Sequence, residues 1–143
     1  MTRAEIREAI QQLFAVFEKK KKIDAATRES DLRLVLDRLA LASHFAHADP
    51  GPESTSPNDV PTTSRHELHK RLGKRFPELG DTLDDLVDIA LDLEEVLRRW
   101  ETDEEDAVWH FGFLFVAHWG QHLRALQLHL HERAFRGPKA ETP

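Results

Sequence analysis

Apolar residues along the chain recur at intervals of three and four, which is the spacing of one face of an α-helix. Two S/T-x-x-E capping boxes support helix starts after Thr2 and Ser64. No stretch alternates with the period of two that a half-buried strand requires. The pattern therefore predicts an all-α, single-domain bundle of about five helices, the last of them long. The predicted helices span residues 3–20, 27–47, 65–76, 82–100 and 104–135.

One segment interrupts the helical pattern. Residues 48–64 read ADPGPESTSPNDVPTTS and contain four prolines but almost no apolar side chains. Because proline and glycine interrupt regular structure, this composition predicts a flexible loop between the second and third helices. We expect residues 1–143 to form one helical domain, since this length suits a single hydrophobic core.

The composition and charge limit which partners and which cellular location this domain can have. Apolar residues make up 40% of the chain, which is enough for a hydrophobic core. The net charge of −6 disfavours nucleic acid as a main partner, because binding to phosphates requires positive charge. The chain contains no cysteine, as is common in the reducing cytoplasm. The opening residues MTRAEIREAI lack the apolar region of a signal peptide. The longest apolar run, 113–117, is too short to span a membrane. We expect a cytoplasmic protein with no membrane partner.

The most apolar part of the chain carries five of its nine histidines. In HFGFLFVAHWGQHLRALQLHLH, residues 110–131, three histidines lie within about 40° of one another on a helix. They are His118, His122 and His129. Neutral packing anchors, metal ligands and proton-transfer groups all fit this pattern. We favour packing anchors, because these histidines border the apolar face of the helix and each ring can bond a carboxylate or carbonyl.

A metal site is the main alternative for these histidines. Two histidines four residues apart on a helix can bind one ion, as in the HExxH motif of metalloproteases. HWGQH lacks the internal glutamate, and His129 lies about 10 Å beyond His122 along the axis. A divalent metal such as zinc or manganese would therefore need His118, His122 and a carboxylate from another helix.

The fourth helix offers those carboxylates. It is joined to the fifth helix by a short link, so the two should pack antiparallel. Counting back from the turn places His118 level with Asp84 and Asp85. The same count places His122 level with Asp81. Because the aspartates lie largely away from the apolar stripe of their own helix, we expect one histidine–aspartate contact rather than three.

Three pieces of the chain carry a resemblance to a known family. They read DDLVDIALDL, AVWHFGFLFVAHWGQH and ALQLH, with HWGxH as the most specific motif. They resemble the bacterial domain-of-unknown-function family number fifty sixty-three, mainly over residues 81–129. The chain departs from the family pattern at Ala90 and Phe111, where the family has tyrosine and tryptophan. The resemblance implies an all-helical domain and supplies no activity or ligand. The matching residues are Asp85, Asp88, Asp92, Trp109, His118, Trp119, Gly120, His122 and His129.

The sequence favours a binding role over catalysis. It has no cysteine, no tyrosine and no GxSxG motif, so no catalytic residue can be named and an enzymatic role stays open. An unbroken fifth helix would be about 48 Å long, against a domain diameter of about 37 Å. The helix therefore either bends at a glycine or overhangs. We expect Phe113, Leu114 and Leu128, off its main apolar arc, to contact an unknown protein partner or a second copy.

Two alternatives to this protein–protein role remain. The first is a metal-binding protein or metal-dependent hydrolase that uses His118 and His122. The second is a weak RNA-associated role through the basic outer face of the third helix, residues 65–75, where clustered positive charge could contact phosphates.

Overall fold

The fold is described by a computed structural model over residues 1–18, 22–46 and 60–136. Every regular element within these ranges is helical, which confirms the predicted all-α class. The elements are α1 (Arg3–Phe17), α2 (Ala25–Ser43), α3 (Arg65–Arg75), a 3₁₀ segment (Pro77–Thr82), α4 (Leu83–Trp100), α5 (Glu104–Leu114), a π-helical turn (Phe115–Trp119) and α6 (Gly120–Arg136).

The main difference from the predicted helices lies near the C-terminus. The predicted helix 104–135 is divided by the π-helical turn into α5 and α6. The other helices start within two residues of the predicted positions. The predicted ends at residues 20 and 47, and most of the predicted loop 48–64, lie outside the described residues. Residues 60–64 are described and are not helical.

Helix α4 organises the hydrophobic core. It packs against α1, α3, α5 and α6, while α2 packs against α1 and α6. Helix α4 is strongly amphipathic, with an apolar face toward the core and a polar face opposite. Each apolar side chain that it buries fully contributes about 1.5–3 kcal/mol of stability. No helix within the described ranges is long and apolar enough to cross a membrane. The core residues of α4 with no exposed surface include Leu86, Val87, Ile89, Ala90, Leu93 and Val96.

A buried arginine holds the corner between α4 and α5. The Nε atom of Arg99 lies 3.3 Å from Glu95 Oε2, and its Nη1 atom lies 3.3 Å from Asp106 Oδ2. The Asp103 side chain caps α5 by accepting a hydrogen bond from the backbone N–H of Asp106 at 3.2 Å. These contacts tie the last turn of α4 to the first turn of α5. The chain therefore reverses here and α5 returns along α4.

Candidate metal centre

The π-helical turn depends on Gly120. The backbone N–H of Gly120 donates to the carbonyl oxygen of Phe115, five residues earlier, which is the π-helical hydrogen bond. A Cβ atom at Gly120 would collide with this carbonyl oxygen and would lie 3.1 Å from the Phe115 ring. The adjacent Trp119 is fully buried, and its indole N–H donates to the Phe111 carbonyl at 3.2 Å. The turn thus lies where the sequence allowed a bend at a glycine, and His118 lies within it.

Three aspartates on α4 lie opposite this turn and the first residues of α6. Asp85, Asp88 and Asp92 lie at i, i+3 and i+7, so they form one row along the helix. All three side chains are largely shielded from solvent. Burial raises the pKa of Asp92, and the hydrogen bond with His118 opposes that rise.

Two histidines each contact this row through the Nδ1 atom. His118 Nδ1 lies 2.7 Å from Asp92 Oδ2, and His122 Nδ1 lies 2.8 Å from Asp85 Oδ1. A third contact joins His122 Nε2 to Asp88 Oδ2 at 3.5 Å. The two imidazole rings meet edge to face, with centroids 4.8 Å apart. The cluster thus links α4 to the start of α6 and the π turn.

The predicted register and number of these contacts were wrong. His118 meets Asp92 rather than Asp84 or Asp85, and three contacts form where one was expected. Helical side chains tilt toward the N-terminus of their own helix. In an antiparallel pair of helices, side chains on the two helices therefore tilt in opposite directions along the shared axis. This tilt carries the His118 ring toward the α4–α5 corner and the Asp92 carboxylate away from it, which brings them together.

Three groups of the cluster are close enough to share one ion. One potential ligand atom each from Asp88, His118 and His122 lie within 4.8 Å of one another. The His118 side chain is 44% exposed, so the cluster opens to solvent on this side. That exposure does not fit the packing-anchor interpretation of His118. The carboxylates of Asp85 and Asp92 lie behind the two rings as hydrogen-bond partners.

Arg65 is a member of the cluster that the sequence did not indicate. It is the first residue of α3, and its Nη1 atom bonds Asp88 Oδ1. This hydrogen bond raises the pKa of Arg65 above its ordinary value. Just before it, Thr63 donates from its backbone N–H and hydroxyl to Glu94 Oε1, at 2.8 and 3.0 Å. The only sequence signal was a general basic face on α3, which did not single out this side chain.

Several other predicted site residues lie away from the cluster. His129 takes no part in the group of Asp88, His118 and His122, and its buried Nε2 has no hydrogen-bond partner among the described residues. Trp109 stacks on Phe113 with ring centroids 4.9 Å apart.

The three predicted interface residues differ in exposure. Phe113 and Leu128 are exposed, whereas Leu114 is partly buried against the core. Leu114 is therefore the least accessible of the three for contact with a partner.

The histidine motif lies in a segment that matches a known protein family. Residues 68–135 match the family model described as Domain of unknown function (DUF5063). This match confirms the resemblance predicted from HWGxH. The DUF5063 segment contains the three aspartates and both histidines of the cluster, whereas Arg65 lies outside it. The family description assigns no catalytic activity or ligand.

A solved structure supports the fold. The crystal structure of protein BF1032 from Bacteroides fragilis, a Northeast Structural Genomics Consortium target, has a TM-score of 0.74 to this chain. The two sequences are 19% identical, and the alignment covers 90% of this chain and 89% of that chain. At this identity the likeness shows the shared helical fold alone. No curated protein matches the sequence significantly.

Proposed function

We propose that this protein binds a divalent transition-metal ion through Asp88, His118 and His122. The observation that carries the proposal is the hydrogen bonding of the two rings. Each Nδ1 atom contacts an aspartate, so in the neutral imidazole Nδ1 carries the proton and Nε2 offers its electron pair. Metal-binding histidines typically donate from the other ring nitrogen to a carboxylate, a backbone carbonyl or a water molecule, and a carboxylate fills that role for both rings here.

The charge and chemistry of the ligands favour a divalent transition metal. Three aspartates and Arg65 leave the cluster with a net charge of about −2, which a divalent ion neutralises. Two imidazoles and one carboxylate suit zinc, iron, cobalt or manganese rather than calcium. Three protein ligands also leave at least one coordination position for water or a substrate.

We propose that the protein binds this metal in the cytoplasm, in keeping with the absence of cysteine.

Metal binding is tested by thermal unfolding of untagged protein. Zinc or manganese at about 100 times its dissociation constant should stabilise the native state by about 2.7 kcal/mol. This corresponds to a rise of about 8 °C in Tm for a chain of this size. The chelator EDTA should reverse the rise. His122→Gln removes one ligand and should abolish the shift.

A matched substitution controls for general effects of losing a histidine. His69 also contacts an α4 aspartate, with Nε2 lying 3.4 Å from Asp84 Oδ1, but it lies outside the proposed ligand set. His69→Gln should therefore keep the full metal-dependent rise in Tm. If calorimetry and elemental analysis find no bound zinc, iron, cobalt or manganese in the parent protein, the proposal is refuted.

We also propose that this chain pairs with a second copy of itself. The contact surface is the α2–α6 face, which is formed by exposed residues of these two helices. Its exposed apolar residues are Leu34 and Leu41 on α2, and Leu128 and Phe135 on α6. Each pair is spaced seven residues apart, as in the seam of packed helices. Leu128 belongs to this face, and it is also one of the interface residues predicted from the sequence.

The polar residues within the α2–α6 face favour a symmetric pairing. Arg33 lies over the Phe135 ring at 5.9 Å, and Asp37 accepts a hydrogen bond from Gln127 at 3.0 Å, so the two helices present one continuous surface. Because this surface carries both an arginine and an aspartate, a copy related by a two-fold axis can pair opposite charges across it.

Light scattering tests this pairing. The parent protein should have the mass of a dimer, and the double variant Leu34→Glu/Leu128→Glu should have that of a monomer, because four charges would be buried without partners. Phe113→Glu, on α5, should remain dimeric. A parent protein that stays monomeric at high concentration contradicts the dimer.

A further inference from the structure

We infer that the open side of the proposed metal site accepts an oxyanion, a phosphate or carboxylate group, held between the ion and Arg65. This inference rests on the proposed metal-binding function. It adds a ligand class to that function and assigns Arg65 the role of anion recognition.

The distances place Arg65 within reach of such a ligand. Its Nη2 atom lies 3.5 Å from Asp88 Oδ2, the oxygen that also lies 3.5 Å from His122 Nε2. An ion about 2.1 Å from that oxygen lies within about 5.6 Å of Nη2. A phosphate or carboxylate has oxygens roughly 2.3 Å apart. With a metal bond of about 2.1 Å and a hydrogen bond of about 2.9 Å, it spans up to about 7 Å. One oxyanion can therefore contact both groups.

Arg65 and His118 are the more exposed members of the cluster, and the carboxylates lie deeper. The Arg65 side chain is 49% exposed and that of His118 is 44% exposed. The side chains of Asp85 and Asp92, at 22% and 17%, are more deeply placed. An ion bound by the histidines would thus meet solvent beside a guanidinium, with the carboxylates behind the rings. An incoming anion approaches the positive side of a cluster that is neutral as a whole.

The guanidinium of Arg65 has hydrogen-bonding capacity left for a ligand. Its Nη1 atom binds Asp88 Oδ1, but Nη2 at 3.5 Å from the carboxylate makes a weak contact at most. A guanidinium offers five donors in a plane, which match the paired oxygens of a phosphate or carboxylate. Other cations of α3, such as Arg71 and Lys74, line a separate groove beside Phe17. Arg65 is thus the α3 cation positioned to recognise an anion at this site.

Visible absorption of the Co²⁺-loaded protein tests the inference, because the bands of Co²⁺ change when its coordination changes. Inorganic phosphate and acetate are titrated separately at constant ionic strength, with chloride as the control anion. At least one of the two should produce a saturable spectral change. Arg65→Met should weaken that binding tenfold or more, and Arg65→Lys should also weaken it because the planar fork is lost. Arg71→Met, on the same helix, should bind like the parent.

The outcomes separate this inference from the proposed metal function. A response to phosphate alone identifies a phosphate-bearing ligand, and a response to acetate alone identifies a carboxylate. The inference is overturned if neither anion changes the spectrum, or if Arg65→Met binds the anion as tightly as the parent. It is also overturned if both Arg65 variants lose Co²⁺ itself, since Arg65 would then act only by holding Asp88. A parent protein that binds no Co²⁺ refutes the metal function as well.

Discussion

Replacing Arg99 with alanine is expected to lower the free energy of unfolding by about 3–5 kcal/mol. The guanidinium is buried, and its removal leaves the carboxylates of Glu95 and Asp106 without their shared cation. The Asp106 carboxylate is itself largely buried, so water reaches it poorly once the guanidinium is removed, although His110 Nδ1 still lies 3.2 Å from its Oδ1. Urea denaturation followed by circular dichroism measures the change.

The neighbouring Arg98 provides a matched control. It pairs with Glu94 at 3.8 Å from a half-exposed position on the same turn of α4. The Arg98 side chain is half-exposed, and Glu94 keeps its two hydrogen bonds from Thr63 when Arg98 is removed. Ion pairs with an exposed cation contribute roughly 0–1 kcal/mol, so Arg98→Ala should change stability by no more than about 0.5 kcal/mol. Equal losses for the two variants would show that burial of Arg99 does not determine its contribution.

Gly120→Ala is expected to destabilise the protein by about 1–3 kcal/mol, as overpacking of a close contact does. In an ordinary helix the same substitution stabilises by up to about 1 kcal/mol, so the sign of the change is informative. The added methyl group meets the Phe115 carbonyl oxygen, which is backbone and cannot rotate away. Relief requires the π turn to change, and that change would move His118 relative to Asp92. We therefore expect Co²⁺ affinity to fall about tenfold along with stability.

Gly73→Ala controls for the general effect of replacing a helical glycine. Its Cβ atom would lie 3.3 Å from the Cδ2 methyl of Leu83, the end of a flexible side chain. This substitution should be close to neutral or slightly stabilising, with unchanged Co²⁺ affinity. An increase in stability for Gly120→Ala would contradict the requirement for glycine after the π turn.

The predicted helices show how far the local pattern extends. The capping boxes at Thr2 and Ser64 located the starts of α1 and α3, because capping depends on residues a few positions apart. The same pattern could not reveal the π turn. That turn depends on a buried indole reaching the Phe111 carbonyl and on a carbonyl that approaches Gly120 too closely for a side chain. The glycine indicated a possible bend, but not its form.

The candidate site was visible in the sequence as two separate rows. His118 and His122 are four residues apart, and Asp85, Asp88 and Asp92 follow helical spacing, so each row was expected to share a helix face. The sequence did not predict correctly which histidine pairs with which aspartate. That pairing depends on the axial register between the two helices, which is set by side-chain tilt and by the packing at the α4–α5 corner. Arg65 comes from a third helix, and no local spacing connects it to Asp88.

The sequence by itself determined the helical class, most helix starts and the histidine and aspartate rows, since these follow from neighbours within about two helical turns. The family resemblance was also visible in the sequence, in motifs spread over residues 81–129. Only the tertiary structure decided which aspartate each histidine contacts, that Arg65 joins them, and that His118 faces solvent. Those features depend on how α3, α4 and α6 pack, and packing is set by side-chain shapes across the whole core rather than by any local pattern.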